Sequence, residues 1–330
     1  MSCESPESTD SGLSGGTPNN VRGGYVTNHD PHRRPYSNGA GGPLWSMAFA
    51  RHGSGVRADL GALASQVHPV FMLPPLAAAA FGAVLAGTLD AGLLGVHLVA
   101  VFAALYTAHV KDGYVDFYGR GEDDDHPMTR AGCRLALAGA TAVFAACLLA
   151  LGWLVDLWAV ALTLPGWIIG IMHAPQLDLN PVGASAGYPA GIAFALVSGH
   201  YVQATALAGD VVAFAVVFFV VLCGIKVVDD TSDHAHDRSI GKRTVAVVLG
   251  PGRARRFAFG LMAAGMLAVI LLAAIGVFPP ASAVAPAVFA AVAFFAWRAG
   301  EDDTLATMLL IRGSYLFFAV LIAAVWIGRG

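Results

Sequence analysis

The sequence predicts an all-α fold, a polytopic membrane protein built as a bundle of about nine transmembrane helices. Three observations predict it. The 330 residues are 56% hydrophobic and only 12% charged, with a mean hydropathy of +0.65; soluble domains carry roughly 25% charged residues. The apolar residues gather into stretches long enough to cross a bilayer, which takes about 20 residues of helix. Most charges fall between those stretches. The net charge of −3 offers no footprint for nucleic acid. Cys3, Cys133, Cys147 and Cys223 include no CxxC pair and read as small apolar residues, neither a disulfide framework nor a zinc site.

Residues 1–64 are polar, rich in Gly, Ser, Asn, Pro and Arg. They hold too little apolar surface to offset chain entropy and are expected to be disordered. No basic stretch leads into an apolar one there, so the segment is not a signal peptide. Residues 65–330 form the spanning domain. The first span, 69–89, contains Pro74 and Pro75 and is expected to kink or to break in its first turn. The second, 91–111, runs into the charged HVKDGYVDFYGRGEDDDHP. The third and fourth, 132–151 and 153–173, are joined by a short turn, and Gly166 and Gly170 in the fourth have the spacing of a helix-packing pair. The fifth and sixth are 188–208 and 210–228; within the sixth, V211–I225 has one glycine and no charge. The seventh, eighth and ninth are 255–275, 280–298 and 304–328.

The connections set the orientation. Those near 88–92, 152–156, 209–210 and 278–282 are short and almost uncharged, whereas 112–131 and 229–256 are long and charged. The first long loop carries Arg120 and Arg130; the second carries Arg238, Lys242, Arg243, Arg253, Arg255 and Arg256. Nine spans and a cytosolic N-terminus place both on the cytosolic side of the cell membrane, as the positive-inside rule requires. Arg51 and Arg57 ahead of the first span agree.

Those two loops begin with carboxylates. Asp112 and Asp116 are four residues apart at the end of the second span, followed by Glu122, Asp123, Asp124 and Asp125. Asp229, Asp233 and Asp237 make an i, i+4, i+8 stripe at the end of the sixth. Acidic residues at a helix C-terminus oppose its dipole and repel one another, so a cation belongs among them. Carboxylates without His or Cys at ligand spacing suit Mg²⁺, which usually binds one or two carboxylates together with substrate phosphate oxygens. Arg120, Lys242 and Arg243 can supply charge-assisted hydrogen bonds to the same oxygens. Asp123–Asp125 also fit a simple solvated loop.

The segment DDTSDHAHDRSIGKRTVAVVLG, 229–250, resembles the second aspartate motif of the UbiA superfamily of intramembrane prenyltransferases. Asp229, Asp233, Asp237, Gly241, Lys242, Arg243, Thr244, Leu249 and Gly250 carry the resemblance. The first motif is looser: Asp112 stands where the family usually has Asn, Asp116 matches the central Asp, and Gly113 replaces an acidic residue. Either Arg120 or Asp123 takes the last position. The resemblance covers about residues 65–328. It implies Mg²⁺-dependent transfer of a polyprenyl group from its diphosphate to a lipophilic acceptor within the lipid bilayer, with Asp112, Asp116, Asp229, Asp233 and Asp237 as metal and catalytic residues. The acceptor stays open among a quinone precursor ring, an ether-lipid glycerol and a carotenoid end.

In the loop 171–189, His173 is either a general base for the acceptor or a hydrogen-bonded interfacial residue. Lys111 and Lys226 either snorkel or pair with a diphosphate or a carboxylate. His234 and His236 are expected to point away from the aspartate stripe. GKRT is no P-loop, because His236 stands where that motif needs Gly and Arg243 where it needs Ser or Thr. A CDP-alcohol phosphotransferase would need one compact acidic block. A membrane transporter with a cytosolic-side ion site is the alternative from another class, although transporter carboxylates gather near the midplane.

Overall fold

In the computed structural model, residues 49–299 and 303–329 are described, and they are almost entirely helical. The helices are α1 (Val56–Ala64), α2 (Pro69–Leu85), α3 (Ala91–Val115), α4 (Arg130–Leu154), α5 (Leu157–Met172), α6 (Pro181–Ala204), α7 (Gly209–Ser232), α8 (His234–Ser239), α9 (Val245–Leu249), α10 (Pro251–Ala274), α11 (Val284–Arg298) and α12 (Asp303–Arg329). Among the described residues, eight helical segments are long and apolar enough to cross a membrane; α1 and α2, bent by 66°, make a ninth if they count as one span. Every expected span has its helix.

The expected disorder of residues 1–48, with Cys3, lies outside the described residues. Residues 49–64, assigned to the same polar segment, are ordered. Their backbone pairs with the loop before α4: Arg51 N–H donates to the Pro127 carbonyl at 2.8 Å and Thr129 N–H to that of Phe49 at 2.9 Å. Asp125 fastens the contact, lying 2.9 Å from Arg51 and 2.9 Å from His52, while the Arg51 guanidinium sits 4.4 Å over the Phe117 ring. Composition alone could not reveal an arm whose order comes from a partner some seventy residues away.

The first span also departs from expectation. α2 runs unbroken through Pro74 and Pro75, and the bend lies earlier, where His68 (φ −109°, ψ 92°) is held extended ahead of Pro69. Pro75 has no N–H for the Phe71 carbonyl. The Tyr188 hydroxyl donates to that carbonyl instead, at 2.8 Å.

α6 is the hub of the bundle, packing on α2, α5 and α7; α3 packs on α4 and α5, α7 on α10 and α12, and α11 on α12. α2 and α6 touch backbone to backbone. A Cβ on Gly82 would collide with the Leu196 carbonyl, and one on Gly199 with the Ala79 carbonyl. Small residues permit such approaches where lipid tails are as apolar as the side chains. The main core joins α2, α6, α7, α10 and α12, with Phe214 stacked on Phe278 at 4.4 Å and edge-on to Phe81 at 5.5 Å. Contacts of Arg120 with Asp178, of Lys242 with Glu122 and of the Arg243 N–H with the Asp178 carbonyl bring the segments that follow α3, α5 and α7 together.

Candidate active site at one end of the bundle

α3 does not stop cleanly. Its last turn widens into a π-helical turn, Asp116–Arg120, closed by Gly121 in the left-handed region (φ 67°). The Glu122 N–H returns to the Asp116 carbonyl at 2.9 Å. This fold-back places three side chains together: Arg120 Nη1 lies 3.2 Å from Asp116 Oδ1 and 3.5 Å from Glu122 Oε1. π-turns inside helices frequently mark functional sites.

α5 ends in the same manner, in a π-helical turn over His173–Leu177 that is interrupted at Ala174 (φ −121°, ψ 135°). Beyond it, the Asn180 side chain caps α6 by accepting from Val182 and Gly183. Asp178, between the two, turns inward. Its Oδ2 accepts from Arg120 Nη1 at 3.0 Å, and its carbonyl accepts from the Arg243 N–H at 2.8 Å. His173 Nε2 stands 3.9 Å from Asp112 Oδ1.

α7 ends at Ser232, and Asp233 (φ −98°, ψ 5°) is the hinge into α8. The aspartate stripe is therefore broken at its middle member. Asp229 is part exposed and pairs with Lys226 Nζ at 3.0 Å. Asp233 is exposed and Asp237 buried. Asp230 is buried as well, 2.6 Å from Lys226 Nζ and 3.5 Å from the Ser185 hydroxyl. After α8, Gly241 takes a left-handed turn (φ 79°), Lys242 N–H donates to the Asp237 carbonyl at 2.9 Å, and the Thr244 hydroxyl caps α9. The GKRT run thus supplies a turn, a cation and a cap. Lys242 Nζ reaches Glu122 Oε2 at 3.4 Å, whereas Arg243 holds the loop through its backbone and leaves its side chain exposed.

Lys242 is where the two motifs meet. Burial alone would lower its pKa; the fields of Glu122, Asp116, Asp178 and Asp237 outweigh that and raise it. Burial raises the Asp237 carboxyl, with Lys242 and Lys226 opposing. Among the described residues, no three His, Cys, Asp or Glu side chains are grouped to hold a metal ion by themselves. The carboxylates are drawn onto Arg120, Lys226 and Lys242 instead.

One expectation changes here, and one open alternative narrows. His236 does not point away, since its Nε2 comes 3.8 Å from Glu122 Oε2; the break at Asp233 turns α8 so that this imidazole faces the end of α3. Of the two candidates for the last position of the first motif, Arg120 points into the cluster and Asp123 is exposed. Sequence reasoning also passed over Glu122, Asp178 and Asp230 as site residues. Glu122 carried one signal, a Gly at 121 able to fold it back; Asp178 and Asp230 carried none beyond their charge.

No protein-family model matches the chain, and no curated protein sequence matches it. Solved structures do. A structure of digeranylgeranylglyceryl phosphate synthase aligns with a TM-score of 0.66 at 12% identity, over 83% of this chain and 99% of that one. A UbiA homologue from Archaeoglobus fulgidus bound to GPP and Mg²⁺ gives 0.59 at 16% identity, over 81% of this chain and 98% of that one. The apo UbiA homologue from Aeropyrum pernix K1 gives 0.58 at 16%, over 78% and 97%. The chain has the all-helical membrane fold of these proteins.

Proposed function

We propose that the chain is a prenyltransferase of the UbiA superfamily, moving a polyprenyl group from its diphosphate to a lipophilic acceptor in the bilayer with the help of Mg²⁺. One observation carries the reading: the end of α3 and the segment after α7, far apart in sequence, meet where Lys242 Nζ lies 3.4 Å from Glu122 while its N–H donates to the Asp237 carbonyl at 2.9 Å. Proteins of the same fold have been seen with GPP and Mg²⁺ and with DMAPP and Mg²⁺.

The residues present fit Mg²⁺. The candidate donors are all carboxylate oxygens, the ligands a hard cation takes. Asp112, Asp116, Asp229, Asp233 and Asp237 would hold the ion. Bound there, Mg²⁺ would act as a Lewis acid toward the leaving diphosphate. Lys242 and Arg120 face the same space and bind phosphate oxygens through charge-assisted hydrogen bonds; Arg243, at the rim, meets the diphosphate as it enters. His173 Nε2, beside Asp112, takes the proton that an acceptor hydroxyl or ring releases. The apolar helices below the cluster receive the prenyl tail and keep water from the allylic fragment. The acceptor is a quinone precursor ring, an ether-lipid glycerol or a carotenoid end. Arg51, Arg57 and Arg130, with the basic residues of 238–256, support a cytosolic N-terminus and a site opening to the cytosolic side of the cell membrane.

The test is turnover of labelled prenyl diphosphates in membranes carrying Asp116→Ala or Asp233→Ala. Each should abolish transfer in a folded protein: Asp233 is exposed, and without Asp116 the guanidinium of Arg120 keeps Glu122 and Asp178. Full activity in the double variant would end the reading. A non-hydrolysable prenyl diphosphate analogue should protect the protein thermally more strongly with Mg²⁺ than without. Equal protection in both conditions, as expected of a transporter for some other solute, would also reject it.

A further inference from the structure

Arg120 is the most heavily engaged side chain of the site. One nitrogen, Nη1, lies 3.2 Å from Asp116, 3.5 Å from Glu122 and 3.0 Å from Asp178. These carboxylates come from three places: the π-helical turn ending α3, the fold-back beyond Gly121, and the loop between α5 and α6. Gathering acidic oxygens from separate segments onto one centre is the work a divalent cation does in a carboxylate cluster. A guanidinium does it permanently, because it stays protonated at any working pH. The side chain is only 14% exposed, which leaves solvent little share in its charge.

The rest of the site is less neutralised. Asp112 has His173 as its ion-pair partner, at 3.9 Å, with Lys242 and Arg120 acting on it from further off. Asp229 shares Lys226 with buried Asp230, and Asp233 is exposed beyond the helix end. The carboxylates left for an added cation thus lie on the Asp112 and α7 side.

Resting on the functional reading above, we infer that Arg120 is a built-in cation that takes the place of one divalent ion in the first carboxylate cluster. Glu122 and Asp178 serve to hold this guanidinium and bind no metal. Asp116 gives Oδ1 to Arg120 and keeps its other oxygen for the ion bound beside Asp112. The site therefore loads one ion fewer than its acidic residues suggest, and it keeps part of its affinity for a diphosphate when metal is absent.

The experiment is a Mn²⁺ titration followed by electron paramagnetic resonance, on the full chain in detergent with inorganic pyrophosphate present. Arg120→Gln should bind one Mn²⁺ more per protein than the wild type, and Arg120→Lys should keep the wild-type count. Without metal, pyrophosphate should bind Arg120→Gln at least tenfold more weakly. An unchanged Mn²⁺ count in folded Arg120→Gln overturns the inference. Should that variant fail to fold, Glu122→Gln and Asp178→Asn decide: both are expected to keep the wild-type count, and loss of an ion from either overturns the inference. A wild type that takes up no Mn²⁺ at all would remove the functional reading itself, a result distinct from failure of the Arg120 assignment.

Discussion

Removing the ammonium of Lys226 should destabilise the protein more than removing either carboxylate it serves. Lys226 lies 2.6 Å from Asp230 and 3.0 Å from Asp229. Asp230 is 3% exposed and has Ser185 as its other partner, at 3.5 Å. Lys226→Met would leave a buried carboxylate facing a weak hydroxyl contact, and stripping one partner from a buried pair costs about 3–5 kcal/mol. The Lys226 side chain is itself 34% exposed, so solvent already weakens the attraction and about 2 kcal/mol is the expected loss. Asp230→Asn should cost less, about 1 kcal/mol, because the ammonium keeps Asp229 and the new amide keeps Ser185. The assay is reversible unfolding in mixed detergent and dodecyl sulfate micelles, followed by circular dichroism for the wild type, both single variants and the double variant. The cycle should return a coupling of about 1 kcal/mol. A Lys226→Met protein within about 0.5 kcal/mol of wild type, or Asp230→Asn as the more damaging change, would refute the reasoning.

Other expectations follow from the same geometry. Gly82→Ala should lower stability by at least about 1–3 kcal/mol, since the new methyl group meets the Leu196 backbone rather than a side chain able to rotate. Gly95→Ala in α3, with open space around it, should gain about 0.5–1 kcal/mol; the same unfolding assay compares them. The Asp125 carboxyl sits below the usual carboxylate range, first through its hydrogen bond with His52. Its contribution to docking the N-terminal arm is therefore complete above the unfolded value near about 4 and is lost as pH falls through the folded one. Amide exchange at Arg51 and Thr129, corrected for intrinsic rates, should speed up over that interval, and Asp125→Asn should show the faster exchange already at neutral pH. Asp124→Asn, on the exposed part of the acidic run, should keep activity within about twofold, a change of under 0.5 kcal/mol in the barrier.

The spans were legible because lipid imposes one rule on every segment that crosses it: about twenty apolar residues with all backbone groups satisfied internally. The place of the candidate site along the chain was legible too, since Asp112, Asp116, Asp229 and Lys242 had to lie where spans end. What periodicity could not supply was the backbone beyond those ends. An i, i+4, i+8 stripe assumes a continuing helix, but the break at Asp233 leaves that residue exposed while Asp230 and Asp237 go inside. Likewise, Glu122 and Asp178 reach Arg120 only because two helices widen into π-turns before stopping. Beyond Gly121, neither turn carries a sequence signature. The Pro74–Pro75 pair misled for a related reason: near the start of a helix a proline deserts a carbonyl that another donor can serve, as Tyr188 serves that of Phe71.

That carbonyl has a consequence for how the protein is made. A ribosome delivers α2 to the membrane long before it delivers Tyr188, 117 residues further along. Through that interval Pro75 offers the Phe71 oxygen no donor, and water at the end of the helix must serve it. The first turns of the nascent α2 are thus less firmly held than the same turns in the finished bundle. Truncations ending before Tyr188 should show faster amide exchange at the start of α2 than those ending after α6.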